Sequence, residues 1–198
     1  MTNKVPVVPP LSKKKIESLA EKILQHFDPD GFSGARPVDI ESFFEFDLKN
    51  IKGLGGLKTG YQDLSALGLS VYGYTDASLK TSLVHSNLSD DNTPAGYRMF
   101  RSTVAHESAH CVLHIPVLFF KSILLTGAGV YRAERHDIPA YLDPEWQAWT
   151  LGGALLMPRH LIGEYYRNGS SIYELAEIFD VNPAFVRGRL KTLEILKK

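Results

Sequence analysis

Residues 104–114 read VAHESAHCVLH, and their histidine spacing determines which fold and which site the rest of the chain is expected to build. His106 and His110 are four residues apart, so on a helix both imidazoles project from one face, one turn apart. Glu107 lies about 100° around the helix from His106, beside a cation held by both histidines. This HExxH spacing is typical of zinc peptidases, in which the glutamate is the general base. The alternative is a buried core helix whose histidines are only hydrogen-bonded.

His114 extends the row of histidines to a third position on the same face of the helix. Its Cβ lies about 12 Å from that of His106 by helical rise, too far for both to hold one ion. The metzincin pattern needs a histidine six residues after the second one, and that position is Pro116. His114 is therefore expected outside the set of metal ligands, as a residue near the helix end that forms a hydrogen bond or faces the rim.

A catalytic zinc ion takes three protein ligands and keeps one position open. The candidates for the third ligand are His85, His136, His160, Asp143 and Glu145. Glu145 is preferred because it begins an apolar helix, DPEWQAWTLGGALLMP, which would pack against the histidine helix and hold a carboxylate rigidly. An acidic residue in a first helical turn is also favoured by the helix dipole without any metal. Both interpretations of Glu145 stay open at this point.

Composition and charge point to an ordinary globular protein. The chain has 198 residues, with 22 Lys+Arg, 22 Asp+Glu and 44% hydrophobic residues, so no overall attraction to nucleic acid or membrane is expected. The single cysteine, Cys111, excludes an intrachain disulfide and favours an intracellular protein. The first fifteen residues show no apolar segment of signal-peptide length, and no apolar run is long enough to span a bilayer. A cytoplasmic location is expected.

Turn and cap signals divide the chain into elements. Residues 1–11 are expected to form a flexible tail, and residues 116–142 an irregular connector. Residues 67–75 and 81–88 have the composition of two strands joined as a hairpin or meander. The predicted helices run from Ser12 to about Phe27, from Pro37 to Leu48, from Met99 to about Pro116, from Asp143 to Pro158, from the capping box at Ser171 to about Asp180, and from Asn182-Pro183 to about Leu196.

The two motifs AHESAHCVLH and EWQAWTLGGALLMP together strongly resemble the ImmA/IrrE family of metallopeptidases. That family pairs an AHExxH helix with a downstream helix of the form E-x-x-A-N-x-F-A-x-x-L-L-M-P. The resemblance covers the chain from about residue 13 onward. It implies one zinc ion (another divalent ion being the alternative) bound by His106, His110 and Glu145, with Glu107 as the general base. The matching positions are Ala105, His106, Glu107, His110, Glu145, Ala148 and Leu155-Leu156-Met157-Pro158.

The resemblance also has departures. Trp149 stands where the family has asparagine, Leu151 where it has phenylalanine, and Ala109 where it usually has glycine. A polar group four residues after the ligand glutamate would face back toward the metal ligands, and Trp149 offers only an indole N–H there. Trp149 and His114 are the two residues expected to lie around the ligands without binding the ion. The motifs therefore predict metal binding, and the departure at Trp149 concerns catalysis.

The segment LAEIFDVNPAFVRGRLKTL has the apolar spacing of a helix-turn-helix. Its last helix carries Arg187, Arg189 and Lys191, which could contact nucleic acid or a partner protein. The resemblance favours the alternative, in which these helices belong to the peptidase and the basic residues are solvated. The net charge near zero also disfavours DNA binding.

The predicted fold is α+β: a zincin-like peptidase core over residues 12–165, with a small, mostly antiparallel sheet beside the HExxH helix, and C-terminal helix-turn-helix-like helices over 166–198. The predicted function is a zinc endopeptidase that cleaves a specific protein, which the resemblance suggests is a helix-turn-helix repressor of a phage, mobile element or stress regulon. An extended substrate could add to an edge of the predicted strands. The alternative is a catalytically impaired regulator that binds protein or DNA. The sequence indicates no oligomeric state.

Overall fold

The computed structural model describes residues 4–68, 70–124, 132–134 and 137–196 of a mixed α+β chain in which helices predominate. The helices are α1 (Lys13–Phe27), α2 (Pro29–Ser33), α3 (Ile40–Ser42), α4 (Ser86–Ser89), α5 (Pro94–Leu124), α6 (Pro144–Leu156), α7 (Arg159–Arg167), α8 (Ile172–Phe179) and α9 (Pro183–Thr192). The strands are β1 (Lys4–Pro6), β2 (Lys58–Gln62), β3 (Gly73–Asp76), β4 (Thr81–His85) and β5 (Arg132–Glu134). A π-helical turn at Phe43–Asp47 continues α3, where the sequence predicts one short helix.

Helix α5 is the central element, and it is longer at both ends than the predicted segment 99–116. It spans 31 residues and continues through Pro116, although an internal proline removes one backbone hydrogen bond. Most of its apolar side chains from Val104 to Ile115 are buried, and those of Val117, Leu118 and Phe119 beyond the proline are half-buried, so tertiary packing stabilises the helix. Within the described residues, no helix combines the length and apolar character needed to cross a bilayer.

Helix α6 packs against α5 at very short range. Its residues from Gln147 to Leu156 are almost all buried, as the apolar sequence of this segment predicts. A Cβ placed on Gly152 would lie 3.1 Å from the carbonyl oxygen of Ala105, so the absence of a side chain lets the two backbones approach. This close approach brings the first turn of α6 alongside the histidines of α5.

The cap signals in the sequence locate the helix starts correctly. Ser12 accepts a hydrogen bond from the backbone of Lys15, and Ser171 and Glu174 form the predicted capping box. Helix α9 begins at Pro183 as predicted, but it ends at Thr192 rather than near Leu196. Helix α7, after Pro158, was not predicted, because it carries no cap residue that the sequence pattern would show.

The prediction of a mostly antiparallel sheet is wrong for the three-stranded sheet, which is mixed. Its strand order is β2-β4-β3, with β3 antiparallel to β4 and β2 parallel to β4. The chain crosses from one edge of the sheet to the other between β2 and β3, and the β3–β4 hairpin then returns β4 to the centre. The hairpin itself is confirmed. β3 is left as an edge strand on the side of α5.

Residues 4–8 form regular contacts, whereas their composition predicts a flexible tail. β1 pairs antiparallel with β5, and Val8 is 2% exposed. Residues 132–134 belong to the segment predicted as an irregular connector, so β5 and the end of α5 are two regular elements that the sequence pattern does not show. Burial of Val8 also fixes the position of the following Pro9, which contributes to the candidate site.

The C-terminal helices α8 and α9 pack on the rest of the chain. The apolar core predicted for this pair is buried: Leu175, Ala176, Phe179, Val181, Val186 and Leu190. The prediction that Arg189 contacts DNA or a partner is wrong, because its side chain is 3% exposed. It donates to both carboxylate oxygens of Glu17 on α1, at 2.5 and 2.8 Å, and to the carbonyl of Met157. Arg187 and Lys191 are exposed.

We expect Arg189→Met to lower the free energy of unfolding by about 3–5 kcal/mol, because it leaves the Glu17 carboxylate buried without its partner. The measurement is urea denaturation of the variant and the wild type. Arg187→Met is the matched control on the exposed face of the same helix, and its effect should stay within about 0.5 kcal/mol. Equal midpoints for Arg189→Met and Arg187→Met would contradict a stabilising role for the buried pair.

Candidate metal centre

His106 and His110 point their Nε2 atoms at the same place. The two atoms are 3.0 Å apart, and the rings are nearly perpendicular, with centroids separated by 4.6 Å. Both residues lie on the stretch of α5 that is packed between α6 and the sheet, and His106 is 8% exposed. Two imidazoles that converge in this way can share one cation.

Glu145 offers a third atom that could bind the same ion. Asp143 caps α6 by accepting from the backbone N–H of Glu145 at 2.9 Å, with Pro144 at the first helical position. The Glu145 carboxylate oxygens each lie 3.3 Å from the Nε2 atom of one histidine, His106 or His110. The three residues offer ligand atoms that all lie within 4.8 Å of one another. Among the described residues, this is the group whose geometry suits one metal ion.

The other candidates for the third ligand lie elsewhere or have another role. His85 accepts from the backbone of Asn87 and lies 3.3 Å from the hydroxyl of Ser65. His160 contacts the carbonyl of Phe32 at 2.9 Å. Asp143 is the helix cap, and His136 lies outside the described residues. Among the four candidates that the structure describes, only Glu145 therefore joins the two histidines in one group.

The charges at the site favour a cation. Burial raises the pKa of the Glu145 carboxyl, but contacts with His106 and His110 outweigh burial and hold that pKa below its usual range. Burial lowers the pKa of His110, but the carboxylates of Glu145 and Glu107 outweigh it and raise that pKa. The protein thus places carboxylate charge next to both imidazoles, which attracts a proton or, in competition with it, a metal ion.

A chain of hydrogen bonds fixes the tautomer of neutral His110. Gln147 donates its two amide N–H groups to the carbonyls of Pro9, at 3.0 Å, and Tyr141, at 2.8 Å. Its amide oxygen must therefore accept from His114 Nε2, at 3.2 Å. His114 Nδ1 then accepts from His110 Nδ1, at 3.0 Å. Neutral His110 therefore carries its proton on Nδ1 and presents the Nε2 lone pair to the site, which is the form that ligates a metal.

His114 is therefore a partner of a ligand, as the sequence predicts, although it lies inside α5 and not near its end. It is 3% exposed, and burial together with the nearby His110 lowers its pKa to about 3. A neutral His114 can accept the proton of His110 over the whole physiological pH range. The donors and their orientation fit a divalent metal ion such as zinc on the His110 side of the site.

We expect Gln147→Leu to weaken zinc binding by about 10–100-fold, the usual effect of removing a residue that orients a ligand histidine. Without the amide, neither tautomer of His114 is fixed, and His110 loses its defined proton acceptor. Competition with a chromophoric chelator measures the affinity. Gln25→Leu, on the exposed side of α1, is the matched control and should bind zinc like the wild type. Unchanged affinity in Gln147→Leu would show that the hydrogen-bond chain does not orient His110.

Glu107 lies beside the three ligands and is 5% exposed. Thr75 on β3 donates to its Oε2 atom at 2.5 Å, and the hydroxyls of Thr75 and Ser82 are 2.7 Å apart. Gly73, also on β3, leaves the space that the rest of this side chain fills, since a Cβ there would lie 2.6 Å from Glu107 Cδ. The carboxylate of Glu107, which the sequence predicts to be the general base, is thus held between α5 and the edge strand.

His106 is supported differently from His110. Trp149 stacks on its ring with centroids 4.2 Å apart and an interplanar angle of 34°. His106 Nδ1 is buried and has no hydrogen-bond partner among the described residues. Trp149 therefore lies next to a ligand, as predicted, and it fixes the plane of the ring without accepting its proton.

Sequence reasoning missed Gln147, Thr75 and Gly73. Gln147 lies two residues after Glu145 on the same helix, but its role depends on its contacts with Pro9, Tyr141 and His114, which the sequence does not show. Thr75 and Gly73 fall in a predicted strand, and nothing in the local sequence indicates that the strand faces Glu107. Comparison with protein-family models, with curated proteins and with solved structures finds no match to this chain.

Proposed function

We propose that this protein is a zinc-dependent endopeptidase of the cytoplasm. The observation that carries the proposal is the convergence of His106, His110 and Glu145 on one point beside the buried carboxylate of Glu107. Two histidines and a glutamate are a ligand set of catalytic zinc, which keeps its fourth position open. The two motifs that resemble the ImmA/IrrE family support the same assignment, with a zincin-like core around α5.

Glu107 would act as the general base. A divalent metal in such a site lowers the pKa of a water molecule and polarises a peptide carbonyl. Thr75 holds Oε2 of Glu107, which leaves Oε1, the oxygen nearest Gly73, to take the proton from the attacking water. The protonated carboxyl can then deliver this proton to the departing amine. Its burial keeps bulk water from competing for the proton.

The edge strand β3 offers a place for the substrate. It is one of the two outer strands in the order β2-β4-β3, and its residue Thr75 donates a hydrogen bond to the proposed base. An extended peptide that pairs with an exposed edge gains main-chain hydrogen bonds along its length. A peptide added to β3 would pass directly by Glu107, which places a scissile bond within reach of the base.

The proposed substrate class, a helix-turn-helix repressor, rests on the family resemblance. The test is to incubate the zinc-loaded protein with purified repressors of this type from the same genome. We expect cleavage of one of them at one position, loss of cleavage on chelation and recovery with added zinc. Cleavage that persists after complete chelation would contradict the metal-dependent mechanism, and zinc-independent binding of an intact repressor would favour the second candidate.

The second candidate is a catalytically impaired regulator that binds protein or DNA. The observation that favours it is the Nδ1 atom of His106 beside Trp149, which has no hydrogen-bond partner among the described residues, because a ligand histidine is usually oriented through that atom. Burial of Arg189 leaves Arg187 and Lys191 as the exposed basic residues predicted for DNA contact, which weakens the DNA alternative. Salt-sensitive DNA binding that survives Glu107→Gln would support this candidate.

A further inference from the structure

The face of the site beside Glu107 and His106 opens into a cavity of about 640 Å³. We infer that this cavity receives one large apolar side chain, leucine-like or aromatic, from the substrate residue that flanks the bond to be cut. The inference rests on the proposed function and adds a substrate preference to it. We call this space the apolar cavity and define it by Val71, Tyr72, Met99, Trp149, Ala184 and Phe185.

The position of the apolar cavity ties it to the reaction. Glu107 and His106 form part of its wall, so its occupant must lie next to the proposed base and to one metal ligand. Gly73 of β3 also lines it. The cavity therefore borders the edge strand along which the peptide is proposed to lie. A side chain entering here belongs to a residue next to the bond that Glu107 reaches.

The chemistry of the walls selects an apolar occupant. Apart from Glu107 and His106, the residues around the apolar cavity carry no charge at neutral pH. Trp149 is 46% exposed, and Phe185 meets its indole edge-on with centroids 5.8 Å apart. Two aromatic rings held against each other at the mouth of a metal site offer apolar area that a substrate side chain can cover. The volume lies within the range of small-ligand sites, and an aromatic or leucine side chain fits it.

The opposite side of the site differs, which makes the preference directional. A second cavity of about 460 Å³ lies beyond His110 and Glu145. Its lining is mixed: apolar residues such as Ile115 and Leu118 border it together with Asp76, Ser78 and Glu145, so two carboxylates and a hydroxyl group lie at this cavity. An apolar side chain would remove these charged groups from water without replacing their hydrogen bonds. The large apolar residue therefore belongs on the Glu107 side of the scissile bond.

The experiment uses the zinc-loaded full chain and short peptide hydroxamates that differ only in the side chain next to the metal-binding group: leucine, phenylalanine, serine or aspartate. Calorimetry measures each affinity. We expect leucine and phenylalanine to bind on the order of 10- to 100-fold more tightly than serine, the gain from burying one such side chain. The same series made as plain amides, followed by tryptophan fluorescence, reports the preference without a metal contact.

Two lysine substitutions test the location. Ala184→Lys places a cation at the exposed rim of the apolar cavity and should weaken the leucine compound and strengthen the aspartate compound, each by about tenfold. Ala35→Lys, at an exposed site that lines neither cavity, should change nothing. Equal affinities across the series, or equal effects of the two substitutions, would overturn the inference while the metal site stands. If the protein binds no zinc but still prefers the apolar amides, the proposed preference of the apolar cavity stands and the proposed peptidase function is wrong.

Discussion

Glu107→Gln is expected to reduce cleavage by about 10²–10⁴-fold while the protein keeps its full zinc content. Glutamine has nearly the same shape as glutamate, and its amide oxygen can still accept the hydrogen bond from Thr75. It cannot take a proton from water at neutral pH. Because Glu107 lies beside the ligand group and not in it, the affinity for the ion should stay near that of the wild type. Initial cleavage rates and elemental analysis of the same preparations measure both quantities.

The control for this substitution is Glu164→Gln, an identical chemical change at an exposed site on α7. It should leave both rate and zinc content unchanged. Equal cleavage by Glu107→Gln and the wild type would exclude Glu107 as the base. Joint loss of cleavage and zinc would instead mean that Glu107 is needed to build the site, so the two failures can be told apart.

The part of the site that lies on α5 could be predicted from the sequence because its geometry is local. Residues four apart on a helix share a face whatever the rest of the chain does, and His106 and His110 do converge. From spacing alone, Glu145 is one of five candidates for the third ligand. The sequence indicates where its helix begins but not which part of the chain that helix packs against. Gly152 shows what decides that packing: a contact with the backbone of Ala105 that no spacing rule contains.

The features that sequence reasoning missed depend on distant contacts. Gln147 gains its role from the carbonyl of Pro9, 138 residues away, in a segment whose proline content resembles a tail. Arg189 looked like a solvated cation because basic residues at the surface of a terminal helix usually are. Its partner Glu17 lies 172 residues away on α1, and pairing buries both. Likewise, composition identified the β3–β4 hairpin but could not show that β2 would lie parallel to β4.

Glu145→Ala is expected to weaken zinc binding by more than 100-fold and to abolish cleavage with it. Removing a residue that only orients a ligand histidine costs about 10–100-fold, and Glu145 contacts both histidines at the ion position itself. Its carboxylate also supplies negative charge that a divalent ion needs there, since the two imidazoles are neutral when they bind a metal. Chelator competition measures the affinity, and thermal unfolding with and without zinc shows whether the ion still stabilises the folded state.

Glu164→Ala is the matched control, because it removes an exposed glutamate from a different helix. Zinc affinity within tenfold of the wild type in Glu145→Ala would mean that the third ligand lies elsewhere. His114 is then the residue to examine, although its Nδ1 is committed to His110 and its Nε2 to Gln147. The double variant Glu145→Ala/His114→Phe would separate these cases. A loss of zinc affinity larger than the sum of the two single losses would show that His114 replaces Glu145 as a ligand. A loss equal to that sum would leave His114 as the partner of His110.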